Sequence, residues 1–96
     1  MPTYEPSPEF LKAYSALSPE QKKKFRRAVE HFIEDLNSGR RFRIGLRVKG
    51  IQGGPDGMFE MTWAPNGRAI FSYGDEILEG EPHIIWHAVG THAILP

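Results

Sequence analysis

The 96-residue sequence contains no cysteine, which excludes disulfide bridges, thiolate metal sites and cysteine nucleophiles. No apolar run approaches the roughly 20 residues that a membrane-spanning helix needs. Residues 1–8 lack the basic segment and apolar stretch of a secretory signal. These absences predict a soluble, cytoplasmic protein without membrane contact. At this length one hydrophobic core is feasible, so we expect a single domain over residues 1–96.

The sequence also lacks net charge, with 12 basic and 12 acidic residues, but the two signs are segregated. Residues 22–49 contain ten basic residues and three acids, a net charge of +7. The remaining residues contain two basic and nine acidic residues, a net charge of −7. Such segregation produces a local field that attracts a polyanion. Alternatively, the two parts neutralise each other in the fold, or the lysines only keep a helix soluble.

Two helix starts follow one another near the N-terminus. Ser7 precedes a proline and an acid, which is typical of a helix cap, and apolar spacing predicts a short helix over residues 8–17. Ser18 begins a capping box. The i, i+3, i+4 pattern that follows predicts an amphipathic helix over residues 19–38, which Gly39 ends.

After this helix the apolar period changes from 3.6 to 2, which indicates strands. Residues 43–49 alternate basic and apolar side chains and predict a first strand with one basic face. A glycine-rich turn follows at residues 53–57, and Asn66–Gly67 is a strong hairpin signal. The other strands are predicted at residues 59–63, 68–73 and 83–89, with an acidic loop at 74–82.

Helices grouped ahead of consecutive strands predict an α+β fold. We expect two N-terminal helices packed on one face of a four-stranded antiparallel sheet. The uncovered face is then expected to collect Arg47 and Lys49 from the first strand and Glu60 and Thr62 from the second.

Four segments carry motifs in a distinctive order: LRVKGIQG at residues 46–53, GMFEMTW at 57–63, GRAIF at 67–71 and IIWHAVGTH at 84–92. Their order and spacing resemble the RelE/ParE toxin superfamily of type II toxin–antitoxin systems. The resemblance implies a RelE/ParE-like fold and a cognate antitoxin that covers the basic face. Members similar to RelE cut messenger RNA on the ribosome, whereas members similar to ParE poison DNA gyrase.

Two departures from the nuclease pattern keep alternatives open. Glu60–Thr62 lacks the arginine often found there, and residues 91–96 contain neither an arginine nor a final tyrosine. The leading hypothesis is a ribosome-dependent, metal-independent mRNA endoribonuclease without a cofactor. The alternatives are a non-nuclease member that poisons gyrase or only binds, and a small α+β domain whose charge split serves folding or dimerisation.

Cleavage of RNA by its own 2′-hydroxyl needs a base, cations at the phosphate and an acid for the leaving oxygen. Histidine suits either proton role, so we predict His92 as acid or base. Arg47, Lys49 and Arg68 are the predicted phosphate contacts. Glu60 is predicted as a second proton carrier or as the partner that orients Lys49. We expect Lys49, Arg68 and His92 to converge on one exposed concavity.

Further RNA contacts are predicted along the basic segment and the last strand. They are Lys22, Lys23, Arg26, Arg43 and His87, besides Arg47. His83 and His87 are four residues apart, about 13 Å on a strand, so no metal site is expected. Trp63 and Trp86 follow the apolar alternation of their strands and are expected in the core rather than stacked on bases.

Overall fold

Two helices and a five-stranded mixed sheet form the fold in the computed structural model, which describes residues 2–39 and 41–96. The predicted α+β class is confirmed. The elements are β1 (Thr3–Pro6), α1 (Pro8–Ser15), α2 (Pro19–Asn37), β2 (Lys49–Gly50), β3 (Met58–Ala64), β4 (Gly67–Gly74) and β5 (His83–Thr91). Single 3-10 turns occur at Ile44–Leu46 and His92–Ile94.

Both helices begin at the predicted caps. The Phe10 backbone N–H donates to Ser7 Oγ over 3.1 Å at the start of α1. At α2, Ser18 and Gln21 form a reciprocal capping box with bonds of 2.8 and 3.1 Å. These bonds satisfy N–H groups that have no partner inside a helix. Gly39 follows α2 with φ +101°, a conformation that favours glycine, as predicted for the end of the helix.

The strand order is β1-β5-β4-β3-β2, with β1 parallel to β5 and the other neighbours antiparallel. The predicted four-stranded antiparallel sheet is therefore wrong in omitting β1. Thr3–Pro6 is short and ends at a proline. Proline is tolerated in an edge strand, but it makes the segment difficult to recognise as a strand from the sequence. His83 is 3% exposed and fixes β1, because its ring nitrogens lie 2.7 Å from Thr3 Oγ1 and 2.8 Å from Glu5 Oε1.

The segment predicted as a basic first strand, residues 43–49, has a different structure. It forms a 3-10 turn followed by the two-residue strand β2. Alternation is misleading here because Ile44 is 94% exposed, whereas Leu46 is buried in the core. Arg47 then adopts a left-handed conformation with φ +47°, which redirects the chain. Of the predicted basic face, only Lys49 lies in the sheet.

Aromatic rings between α2 and the sheet form the centre of the core. Phe32 is 1% exposed, and its ring centroid lies 4.9 Å from that of Phe71, 5.0 Å from Phe42 and 5.5 Å from Trp86. Such ring pairs stabilise a core beyond the area that they bury. Trp63 and Trp86 are both buried in this cluster, so their predicted place in the core is confirmed.

The β3–β4 hairpin forms where Asn66–Gly67 predicted it, but with a shifted turn. Gly67 is the first residue of β4 and pairs with Ala64, so Pro65 and Asn66 make the turn. A glycine is needed because the Trp63 ring lies against it. A Cβ atom at residue 67 would be 2.5 Å from Trp63 Cε2.

We expect Gly67→Ala to destabilise the protein by about 1–3 kcal/mol, because the added methyl group forces the Trp63 ring out of place. Urea denaturation followed by tryptophan fluorescence measures the loss. Gly45→Ala is the matched control, since a Cβ atom there meets nothing within 4 Å. Equal stability of the two variants would contradict this account of the hairpin.

Candidate functional site

The sheet face opposite the helices carries the candidate site. Met61 is buried in the core, so its neighbours Glu60 and Thr62 point to the other face of β3. Lys49 of β2 is directly opposite Glu60 in the antiparallel pairing. The paired strands β2 and β3 therefore bring a cation and a carboxylate together on the face that the helices leave uncovered.

Lys49, Glu60 and His92 line one open cavity of about 390 Å³. Its remaining walls are Gly50–Gln52, Leu95 and Pro96. The C-terminal segment thus forms one side of the cavity, and β2 with the start of its following loop forms another.

Glu60 is 7% exposed even though it lies at this cavity. The ammonium Nζ of Lys49 is 3.9 Å from Glu60 Oε1, and the Lys49 side chain is 62% exposed. A buried carboxylate is costly without a cation or hydrogen-bond donor beside it. The long separation and the exposure leave the Lys49 ammonium group open to a bound anion while it balances Glu60.

His92 is exposed at the start of the last 3-10 turn, just past the end of β5, as predicted. Its backbone N–H donates to the Asn66 carbonyl over 2.9 Å. Thr91 caps the turn, with Oγ1 accepting from the Ala93 backbone N–H at 3.3 Å. The β3–β4 turn and this cap therefore fix the backbone of His92 beside the cavity.

Arg68 lies on the same sheet face but does not line the cavity. Its Nη1 donates to the carbonyls of Gly67 at 2.9 Å and of Ala64 and Pro65 at 3.4 Å each. The guanidinium group therefore holds the β3–β4 turn. Contact with a phosphate would require it to leave these carbonyls.

Arg43 makes a structural clamp. Its backbone N–H and guanidinium donate to the Asp35 carboxylate over 2.8 to 2.9 Å, and Nη2 is 3.1 Å from Glu34 Oε2. The side-chain hydrogen bonds from Arg43, followed by its backbone N–H, lower the pKa of Asp35 to about 2. Hydrogen bonding to Asp35 also raises the pKa of Arg43. The clamp fixes the chain at the start of the Ile44–Leu46 turn.

The predicted RNA contacts on α2 lie away from the cavity. Lys22 Nζ is 5.5 Å from the centroid of the Tyr14 ring, and Arg26 Nη1 donates to the Tyr14 hydroxyl over 3.2 Å. Lys23 is exposed, and so is Arg47 beyond the first 3-10 turn. None of these four cations lines the cavity. Their assignment as RNA contacts stays a prediction.

His87 is half-buried, and its Nε2 lies 2.7 Å from Ser72 Oγ. The pairing of β4 with β5 shifts register near this position, between Ile70 and Phe71. No group of three or more histidine, aspartate or glutamate residues within residues 2–39 and 41–96 is arranged to hold a metal ion. His87 is engaged with a hydroxyl and does not line the cavity.

The structure also contains a basic groove that the sequence analysis did not single out. A cavity of about 410 Å³ between α2 and β3 is lined by Lys24, Arg27, His31 and Arg43. The first three lie three and four residues apart, the spacing that places side chains on one helix face. That spacing signals in the sequence that these cations share a helix face, whereas the groove itself forms only where α2 packs against β3.

The two helices and the mixed five-stranded sheet give this chain the fold of solved structures of RelE, YafQ and YoeB toxins. Solved structures share this fold: a mutant of YafQ from E. coli has a TM-score of 0.70 at 17% identity, covering 98% of this chain and 97% of that chain. A chain of the RelB–RelE antitoxin–toxin complex from Methanococcus jannaschii gives a TM-score of 0.60 at 18% identity, covering 93% of this chain and 91% of that chain.

The YoeB dimer from Staphylococcus aureus gives a TM-score of 0.66 at 11% identity, covering 95% of this chain and 97% of that chain. No protein-family model matches the sequence, and neither does any curated protein. The likeness at these identities establishes the fold that the order of motifs predicted. No helix in the described part of the chain is long and apolar enough to cross a bilayer.

Proposed function

We propose that this protein is the toxin of a toxin–antitoxin pair and acts as a ribosome-dependent, metal-independent endoribonuclease on messenger RNA. The observation that carries the proposal is the cavity that gathers Lys49, Glu60 and His92 on the uncovered face of a RelE/ParE-like sheet. These three residues supply the cation and the two proton-transfer groups that RNA cleavage by an internal hydroxyl needs.

The reaction begins at the ribose 2′-hydroxyl next to the scissile phosphate. Glu60 accepts the hydroxyl proton while the 2′-oxygen forms a bond to phosphorus. The bond from phosphorus to the 5′-oxygen of the next nucleotide then breaks, and His92 gives that oxygen a proton. The products are a 2′,3′-cyclic phosphate and a free 5′-hydroxyl, so protons and bonds balance without water or a metal.

Lys49 stabilises the charge that builds up on the non-bridging phosphate oxygens. Its ammonium group is exposed and lies 3.9 Å from Glu60, so one cation serves both the carboxylate and the phosphate.

A cognate antitoxin is the expected protein partner, and the ribosome with its message is the expected target, which places the protein in the cytoplasm. Solved structures with this fold include the DinJ–YafQ toxin–antitoxin complex and the RelB–RelE antitoxin–toxin complex. These complexes support an antitoxin as the partner of this chain too.

One observation favours the alternative of a binding-only or gyrase-poisoning protein. Lys49 is the single lysine or arginine in the described lining of the cavity, because Arg68 is held at the β3–β4 turn. A site with one permanent cation stabilises a phosphorane-like transition state less than a site with several.

Expression of the chain in bacteria without a partner protein separates these functions. The nuclease proposal predicts growth arrest with cleaved polysomal messenger RNA and intact chromosomal DNA. A gyrase poison would leave the message whole while DNA breaks accumulate. Unchanged growth at a verified protein level would contradict both activities and favour a domain whose charges serve folding or dimerisation.

A further inference from the structure

The groove between α2 and β3 has an apolar floor and a cationic rim. Ala28, Leu46 and Trp63 are buried core residues whose edges form part of the floor. Lys24 and Arg27 of α2 stand above it and are exposed. The groove is therefore shaped for an anion that extends along α2.

The cations of this rim are not equivalent. Arg43 is neutralised by Asp35 and Glu34. By contrast, neither Lys24 nor Arg27 forms an ion pair with any acid among residues 2–39 and 41–96. Unpaired lysine and arginine side chains in a groove are the groups that contact phosphates, because binding there releases the counterions of a nucleic acid.

The groove extends toward the candidate active site. Lys24 and Trp63 also line a smaller adjoining cavity of about 170 Å³, which extends past Asn66 to Thr91. Thr91 directly precedes His92, whose backbone N–H is bonded to the Asn66 carbonyl. The groove and the smaller cavity thus extend around the β3–β4 turn to the residue that precedes His92.

We propose that this groove binds the phosphodiester backbone of the RNA strand beside the cleavage site, with Lys24 and Arg27 as phosphate contacts. The inference rests on the proposed nuclease function, since it takes the cavity as the place where the strand is cut. Lys24 and Arg27 are one helical turn apart, about 5–6 Å between Cβ atoms, so one strand meets both. An acidic polypeptide is less favoured, because it does not explain why the groove extends toward the cavity.

Fluorescence anisotropy of a labelled, 2′-O-methylated oligouridine tests the proposal, since the methyl group blocks cleavage and leaves every phosphate in place. Lys24→Glu is expected to weaken binding by about tenfold or more. The slope of log affinity against log salt should become shallower by about 0.7 per lost contact. Arg27→Ala should act in the same direction.

Lys12→Glu is the matched control, because it makes the same charge change at an exposed lysine of α1. Its affinity should stay close to that of the parent, with thermal unfolding by circular dichroism confirming that both variants are folded. Equal weakening in the two variants would mean that only the net charge matters, and it would overturn the proposal. Unchanged affinity in Lys24→Glu would also overturn it, and so would undetectable binding of the RNA by the parent protein.

An unlabelled oligoglutamate that displaces the RNA more strongly than oligouridine of equal charge would also overturn it, in favour of an acidic protein segment. The binding assay is independent of catalysis. Binding that depends on Lys24 in a protein that never cleaves RNA would disprove the proposed function and leave the groove assignment intact. Cleavage of messenger RNA on the ribosome by a protein whose RNA affinity does not depend on Lys24 would disprove the groove assignment and leave the proposed function intact.

Discussion

Lys49→Ala and His92→Ala are each expected to slow cleavage of ribosome-bound messenger RNA by about 100- to 10,000-fold. Under the proposed mechanism, the first removes the cation beside the phosphate, and the second removes the proton donor for the leaving 5′-oxygen. Both side chains are exposed at the cavity. Because Lys49→Ala also leaves the buried Glu60 without its cation, circular dichroism of each variant checks that the fold is retained. Single-turnover cleavage of a programmed ribosome complex measures the rate, and growth rescue reports the same loss in cells.

Lys12→Ala is the control for Lys49→Ala, because it removes an exposed lysine from α1, outside the lining of the cavity. The double variant Lys49→Ala/His92→Ala should lose less than the product of the two single losses, since groups that act in one step are not additive. Cleavage at the parent rate in both single variants would refute the assignment of the cavity.

Phe32→Ala is expected to cost about 3–5 kcal/mol of the free energy of unfolding. The ring is 1% exposed and contacts three other aromatic rings, so its removal leaves a cavity that α2 and the sheet cannot close. A loss of this size is a large share of the roughly 5–15 kcal/mol that stabilises a typical domain. Urea denaturation, followed by tryptophan fluorescence at two emission wavelengths, measures the loss of stability.

Tyr4→Ala is the control for this substitution. Tyr4 is 68% exposed on β1, so its removal should change stability by no more than about 0.5 kcal/mol. If Phe32→Ala unfolds at the same urea concentration as the parent, the aromatic cluster does not hold α2 on the sheet and the description of the core is wrong.

The helices and the β3–β4 hairpin were predictable because local rules act on them directly. Ser7 and Ser18 satisfy the first N–H groups of their helices whatever the rest of the chain does. By contrast, β1 depends on a partner 80 residues away, and its anchor is the contact of Thr3 with His83. No local pattern in four residues ending at a proline signals such a pairing.

The misassigned first strand has a different cause. Period-2 alternation assumes that every second side chain faces the core, but Ile44 is exposed and Leu46 is buried within one 3-10 turn. The Arg43 clamp on Asp35, a tertiary contact across eight residues, sets that turn. Sequence periodicity does not contain this information.

Those residues of the candidate site whose positions depend only on the order of the strands could be placed from the sequence. Lys49 and Glu60 face one another because β2 and β3 pair in antiparallel register, and His92 lines the same cavity from the segment that follows β5. Arg68 shares the face, but its side chain is bound to carbonyls of the turn, and sequence does not specify a rotamer. The Lys24–Arg27 groove needed the packing of α2 against β3 to become visible.

The most direct test of the central claim is the chemistry of the RNA ends. Messenger RNA recovered from ribosomes after incubation with the purified protein should carry 2′,3′-cyclic phosphates upstream of each cut and 5′-hydroxyl groups downstream. This outcome means that the RNA's own 2′-oxygen attacked the phosphate, which is the reaction proposed for Lys49, Glu60 and His92. Ends with 5′-phosphate and 3′-hydroxyl groups would require an attacking water, and they would contradict the mechanism, as would a message that stays intact.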